Sequence, residues 1–85
     1  MTARLNVELC GRLADACGRM VELDLRAEEV PVRALFAALA AAYPALAPSI
    51  ASGRVRACVN EALVRPDSPV RAGDEVALFP PVSGG

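Results

Sequence analysis

Apolar and polar residues alternate over 4–9, with Leu5, Val7 and Leu9 on one side and Asn6 and Glu8 on the other. A period of two sends successive side chains to opposite faces of a strand, so this run predicts a half-buried β-strand. The alternation returns over 20–25, where Val21, Leu23 and Leu25 oppose Met20, Glu22 and Asp24. The two runs predict an antiparallel hairpin, joined by a connection from Gly11 to Gly18 with one helical turn around Arg12-Leu13-Ala14-Asp15. The period then changes. Val32, Leu35, Phe36, Leu39 and Tyr43 fall at i, i+3, i+4, i+7 and i+11, one apolar stripe on a helix over 31–43. Pro31 suits a place at or next to the first helical position, where an N–H would lack an intrahelical partner anyway. Glu28 and Glu29 put negative charge ahead of the positive end of the helix dipole, and Pro44 ends the helix. Leu35, Phe36 and Leu39 are its predicted core residues.

Residues 45–53 read as a connector broken by Pro48 and Gly53. A third alternating run covers 54–59, with Val55, Ala57 and Val59 against Arg56 and Cys58. Asn60-Glu61 predicts a tight turn into a short strand, Ala62-Leu63-Val64. Pro66-Asp67-Ser68-Pro69 and Ala72-Gly73-Asp74 carry turn residues, and 75–79 is the last strand. The order is strand, strand, helix, strand, short strand, strand. Strands and helix do not alternate regularly, which is the α+β class. At this length that order is the β-grasp, or ubiquitin-like, arrangement: a mixed sheet of four to five strands covered by one main helix. The domain takes residues 1–79, and 80–85 form a tail.

An 85-residue chain makes one domain. A net charge of −1 argues against broad nucleic-acid binding. No apolar run approaches the roughly 18 residues of a membrane helix, and the start of the chain lacks the layout of a signal peptide. Three cysteines without paired spacing suit free thiols in a reducing, cytoplasmic setting. With no histidine and no C-x-x-C, a zinc site is not expected. The thiols lack the usual activating partner and read as small hydrophobes. All nine basic residues are arginine. Without lysine there is no Walker-type phosphate loop, so any ATP chemistry must come from a partner.

The chemistry gathers at the end of the sequence, Glu75-Val-Ala-Leu-Phe-Pro-Pro-Val-Ser-Gly-Gly85. Pro80 and Pro81 fix φ and favour an extended exit from the sheet. Residues 80–85 reach roughly 20 Å at about 3.3 Å per residue. Gly84 and Gly85, lacking side chains, fit a channel too narrow for other residues. The candidate reactive group is the carboxylate of Gly85. The stretch Asp74–Gly85 resembles the C-terminus of the small subunits of molybdopterin synthase. The similarity extends upstream through Val59-Asn60, Leu63-Val64 and Gly73, and the element order matches along the chain. Sulfur carriers of the thiamine pathway share the fold and the Gly-Gly ending but are usually shorter and lack the Phe-Pro-Pro pattern. Two positions depart from the family: Cys10 stands where an aromatic residue is frequent, and Pro31 replaces a helix-capping Ser or Thr.

The resemblance implies a consumable sulfur donor. A ubiquitin-activating-type enzyme would use ATP to adenylate Gly85, and sulfur from a sulfurtransferase donor would displace AMP to leave a thiocarboxylate. Pro80, Pro81, Val82, Ser83 and Gly84 would thread Gly85 into a large synthase subunit, in a heterotetramer of two small and two large chains. There the sulfur would attack the pyranopterin precursor, the catalytic groups belonging to the large subunit. On this reading the chain itself binds no cofactor, no metal, no nucleic acid and no membrane.

Strand parity adds a docking surface. If Leu5, Val7 and Leu9 face the helix, Cys10 points to the open face of the sheet. Phe79, Arg56 and Cys58 join it when Val76 and Leu78 face inward. An exposed phenylalanine at the root of a reactive tail is a natural hot-spot anchor. By resemblance, Leu63 and Phe79 match the family's apolar contact surface, with arginines as its rim. Three other readings remain beside this one: a carrier for thiamine or a thiolated amino acid, a ubiquitin-like modifier joined to target lysines, and an interaction domain with an inert tail.

Overall fold

The three alternating runs become strands of one sheet whose inner side the helix covers. In the computed structural model, which describes residues 3–25 and 27–80, β1 (Ala3–Leu9) is followed by α1 (Arg12–Cys17) and β2 (Met20–Leu25). Next come β3 (Glu29–Pro31), α2 (Val32–Ala42), a 3-10 turn (Pro44–Leu46) and α3 (Ala47–Ala51). β4 (Arg56–Val59), β5 (Ala62–Val64), β6 (Pro69–Arg71) and β7 (Val76–Phe79) complete the order. Five strands pair in the order β2-β1-β7-β4-β5, and β3 pairs with β6 separately. β1 and β7 run parallel at the centre, and the other pairings are antiparallel. This mixed sheet with a helix packed on it is the β-grasp, as the element order implies.

The core is the sum of the inward residues: Leu5, Val7 and Leu9 from β1, Val21, Leu23 and Leu25 from β2, Val76 and Leu78 from β7, and Ala57 and Val59 from β4. Val32, Leu35 and Leu39 of α2 close it from above. Among the described residues no polar or charged side chain is buried. Asn60 and Glu61 both take positive φ, 52° and 69°, the geometry of a tight hairpin turn whose twist suits the strands.

Several expectations need correcting. Phe36 is only half-buried; it lines a small apolar cleft with Ile50 and Val64 at the edge that α2 leaves uncovered. The helix runs Val32–Ala42 and not 31–43, and Pro31 stands next to its first position, as the sequence allows, ending β3 in an extended conformation, ψ 154°. The N–H groups of Val32 and Arg33 donate to the carbonyls of Ser68 and Pro66, at 2.9 and 2.8 Å. A neighbouring turn thus satisfies orphan donors that a capping side chain would otherwise meet. Glu29 does not serve the dipole either: it lies on β3 and pairs with Arg71 at 2.8 Å. Residues 45–53 are not a plain connector, since they hold the 3-10 turn, α3 and the buried Leu46. Pro48 is tolerated there because it falls in a first helical turn. The strand proposed over 54–59 begins at Arg56. β3 and β6, three residues each, are too short to show a period.

Candidate functional site

Among the described residues no layer covers the face of the sheet opposite α2. Register places its side chains in rows across the strands. One row runs Met20, Glu8, Ala77, Cys58, Leu63, crossing all five strands. At about 4.8 Å per strand this row spans roughly 19 Å. The next row pairs Arg56 with Phe79. Cys10 joins that row, because its N–H donates to the Leu78 carbonyl at 3.0 Å, one step beyond β1. The exposed large hydrophobic residues of the described chain are Met20 (58%), Leu63 (69%) and Phe79 (39%), and all three lie on these rows.

Strand parity therefore placed Phe79, Arg56, Cys10 and Cys58 correctly, and the structure brings Phe79, Arg56 and Cys10 together at the end where β7 hands over to the tail. Leu63 lies one row back at the outer edge. Three participants were missed: Met20, Glu8 and Ala77. The signal for Met20 was present in the alternation of 20–25, which already turned it away from the core. Pro80 is half-buried at the root of the tail, and Pro81, Val82, Ser83, Gly84 and Gly85 lie outside the described residues.

Electrostatics divide the face. On the β1–β2 ribbon, Arg4 pairs with Glu22 at 3.0 Å and Asp24 at 3.2 Å. Toward the centre, Glu8, Glu61 and Glu75 surround Cys58, Ala77 and Phe79 in a shallow groove of about 380 Å³. A broader hollow of about 430 Å³ runs from Glu8 and Met20 to Asp74 and Glu75. Asp74 and Asn60 fasten the β6–β7 turn. Asp74 accepts from the Asn60 amide at 3.2 Å and from the Arg71 N–H at 2.8 Å, and Asn60 accepts from the Glu75 N–H at 3.0 Å.

The thiols do not form a reactive pair. Burial pushes the Cys10 thiol up, Glu8 and Cys58 add to the shift, and Arg19 opposes it. A raised thiol is a poorer nucleophile at neutral pH. Cys10, just past the end of β1, and Cys58 on β4 lie on either side of β7, so their backbones are roughly 10 Å apart, beyond disulfide reach. The face thus carries exposed apolar points and an acidic centre, and β7 leaves it at Pro80.

These features define a ubiquitin-like β-grasp domain whose central strand β7 runs along an open sheet face. A family model described as the ThiS family matches residues 7–85, and the chain belongs to that family. Over 39 residues the chain is 51% identical to the molybdopterin synthase sulfur carrier subunit of Escherichia coli. That match covers 46% of this chain and 48% of the relative, about half the length of each. Among solved structures, small archaeal modifier protein 1 of Haloferax volcanii is similar at 31% identity, over 96% of this chain and 99% of its own, with a TM-score of 0.80. A complex of subunits 1 and 2 of the molybdopterin-converting factor of Helicobacter pylori contains a chain of the same fold. It has 22% identity and a TM-score of 0.63, and the match covers 96% of this chain and 99% of that one. Among the described residues no single helix is long and apolar enough to cross a membrane.

Proposed function

We propose that this chain is the sulfur carrier subunit of a molybdopterin synthase. The observation that carries the reading is where β7 leads. The central strand ends at Phe79 on the uncovered face and passes through Pro80 into Pro-Val-Ser-Gly-Gly. Membership of the ThiS family over 7–85 and the identity to the Escherichia coli carrier support it. In the proposed cycle the Gly85 carboxylate attacks the α-phosphorus of ATP on a ubiquitin-activating-type enzyme, and pyrophosphate leaves. A persulfide sulfur on a sulfurtransferase then attacks the acyl carbon and AMP departs; a thiol next cleaves the resulting acyl disulfide, leaving the thiocarboxylate and a disulfide on the donor side. The charged tail enters a large subunit and gives its sulfur to the pyranopterin precursor. That a subunit 1–subunit 2 complex exists for the Helicobacter pylori factor supports a partner of this kind. ATP is consumed by the activating enzyme and not held by this chain, which works in the cytoplasm.

Phe79 and Leu63 anchor both partners in turn, Met20 extends the apolar contact across the sheet, and Cys10 and Arg56 complete it beside the tail. A second reading has one observation in its favour. The similarity to small archaeal modifier protein 1 covers nearly the whole chain, where the curated relative matches half. The test is intact mass after incubation with an activating enzyme, ATP and a sulfur source. The exchange of one oxygen for sulfur at the C-terminus is expected. Deletion of Gly85 abolishes it with the fold unchanged, since a terminal residue beyond Pro80-Pro81 adds little packing. Conjugates on target lysines in place of the sulfur gain support the modifier. Sulfur gain in the Gly85 deletion overturns both.

A further inference from the structure

The tail begins on a floor made by the turn between β1 and α1. Leu9 pairs with Leu78, so Cys10 lies level with Phe79 and Gly11 with Pro80. In the parallel ladder the Cys10 N–H donates to Leu78, and the next bond would need an N–H from residue 80. Proline has none. The Cys10 carbonyl instead accepts from the Leu13 N–H at 3.2 Å, and the chain turns into α1. Gly11 makes that turn at φ 56°, ψ −132°, a conformation that side chains of L-residues avoid. A Cβ added at Gly11 would meet the Pro80 ring, 3.2 Å from its Cγ and 3.5 Å from its Cδ. The positive-φ glycines Gly18, Gly53 and Gly73 show nothing within 4 Å of the same added atom. Gly11 therefore combines a turn that wants glycine with a close approach to the first residue of the tail.

We infer that Gly11 is a positioning residue for sulfur transfer: its bare backbone seats the Pro80 ring and so sets the direction in which the tail leaves the sheet. This rests on the function proposed above. Residues 81–85 follow directly on this seat, so a shift of the Pro80 ring shifts the point from which the chain runs on to the reacting carbon of Gly85. Misplacement by about 1 Å can cost about a hundredfold in rate. Gly11 does not touch the reacting atoms; it acts through Pro80.

The experiment compares the full chain with Gly11→Ala, Gly53→Ala, Pro80→Ala and the double variant Gly11→Ala/Pro80→Ala. Each is charged with sulfur and confirmed by intact mass. Melting temperature, affinity for the large subunit and single-turnover sulfur transfer are then measured. Gly11→Ala is expected to slow transfer about tenfold while affinity stays within about twofold. Gly53→Ala, which strains the backbone without touching the tail, lowers the melting temperature and leaves the rate alone. In the Pro80→Ala background the ring is gone, and adding Gly11→Ala changes the rate by less than about twofold. Full transfer by Gly11→Ala overturns the inference, as does an equal loss with and without the Pro80 ring. If the wild-type chain takes up no sulfur at all, the proposed function falls and this inference with it.

Discussion

The two faces of the central sheet are built from the same strands, one residue out of step. On the inner face Leu5, Val7, Leu9, Val76 and Leu78 are essentially sealed beneath α2. On the outer face their immediate neighbours include Glu8, Cys10, Ala77 and Phe79, with Met20 and Leu63 at the two edges. The inner face is uniformly aliphatic and finished: its apolar area is removed from water on folding, which stabilises by about 25 cal/mol per Å². The outer face mixes three exposed apolar side chains with carboxylates and stays in contact with water. A mutation of equal size should therefore be felt as stability on one side and as affinity on the other.

The sharpest break of that contrast is Leu39→Ala, where α2 meets the sheet at a fully buried position. The truncation is expected to cost about 2–5 kcal/mol, the range for a large-to-small change in a core. Urea denaturation measures it. A loss below about 0.5 kcal/mol, the scale of an ordinary surface substitution, would mean the helix stripe is not the core face.

Phe79→Ala tests the other side. Folding should stay largely intact, and affinity for the large subunit should weaken by about 2 kcal/mol, as at an interface hot spot. Titration calorimetry with the partner and a thermal melt of the free chain separate the two effects. A collapsed melting temperature with unchanged affinity would move Phe79 from the contact face into the core.

How far the sequence reveals these faces depends on element length. β1, β2 and α2 each run long enough for their period to show, and the parity of β1 and β7 was enough to turn Cys10 and Phe79 outward. Phe36 misled because it shares the stripe of Leu35 and Leu39, while α2 sits off-centre and leaves the β5 edge uncovered. Periodicity gives the side of a helix, and only packing gives how far its neighbours extend. β3 and β6 escaped for a different reason: their pairing joins residues about forty positions apart, Glu29 with Arg71 and Pro31 with Pro69, in segments full of turn formers. The same long-range pairing took Glu29 away from the helix end. Of the candidate site, the tail chemistry rests on the sequence, since Pro81–Gly85 lie outside the described residues. Met20 became a member only when register aligned it with Glu8, Ala77, Cys58 and Leu63.

The smallest expected effect concerns Cys10, a half-buried residue of the outer face. Burial is the first cause of its raised pKa, with Glu8 and Cys58 adding and Arg19 subtracting. The folded chain therefore holds this proton more tightly than the unfolded chain, whose thiol titrates near about 8.5. Below that pH both states are protonated and the contribution to stability is fully present. As pH rises through the unfolded value toward the higher folded one, the unfolded state releases its proton first and the contribution is lost. Wild type should lose stability relative to Cys10→Ala across that interval, while the two curves run parallel at lower pH. The other titrating groups occur in both chains and cancel in the difference. Glu8→Gln should narrow the gap, because it removes the second cause and keeps the first. Urea midpoints across neutral to mildly alkaline pH provide the measurement. Parallel curves throughout would place the Cys10 thiol in water.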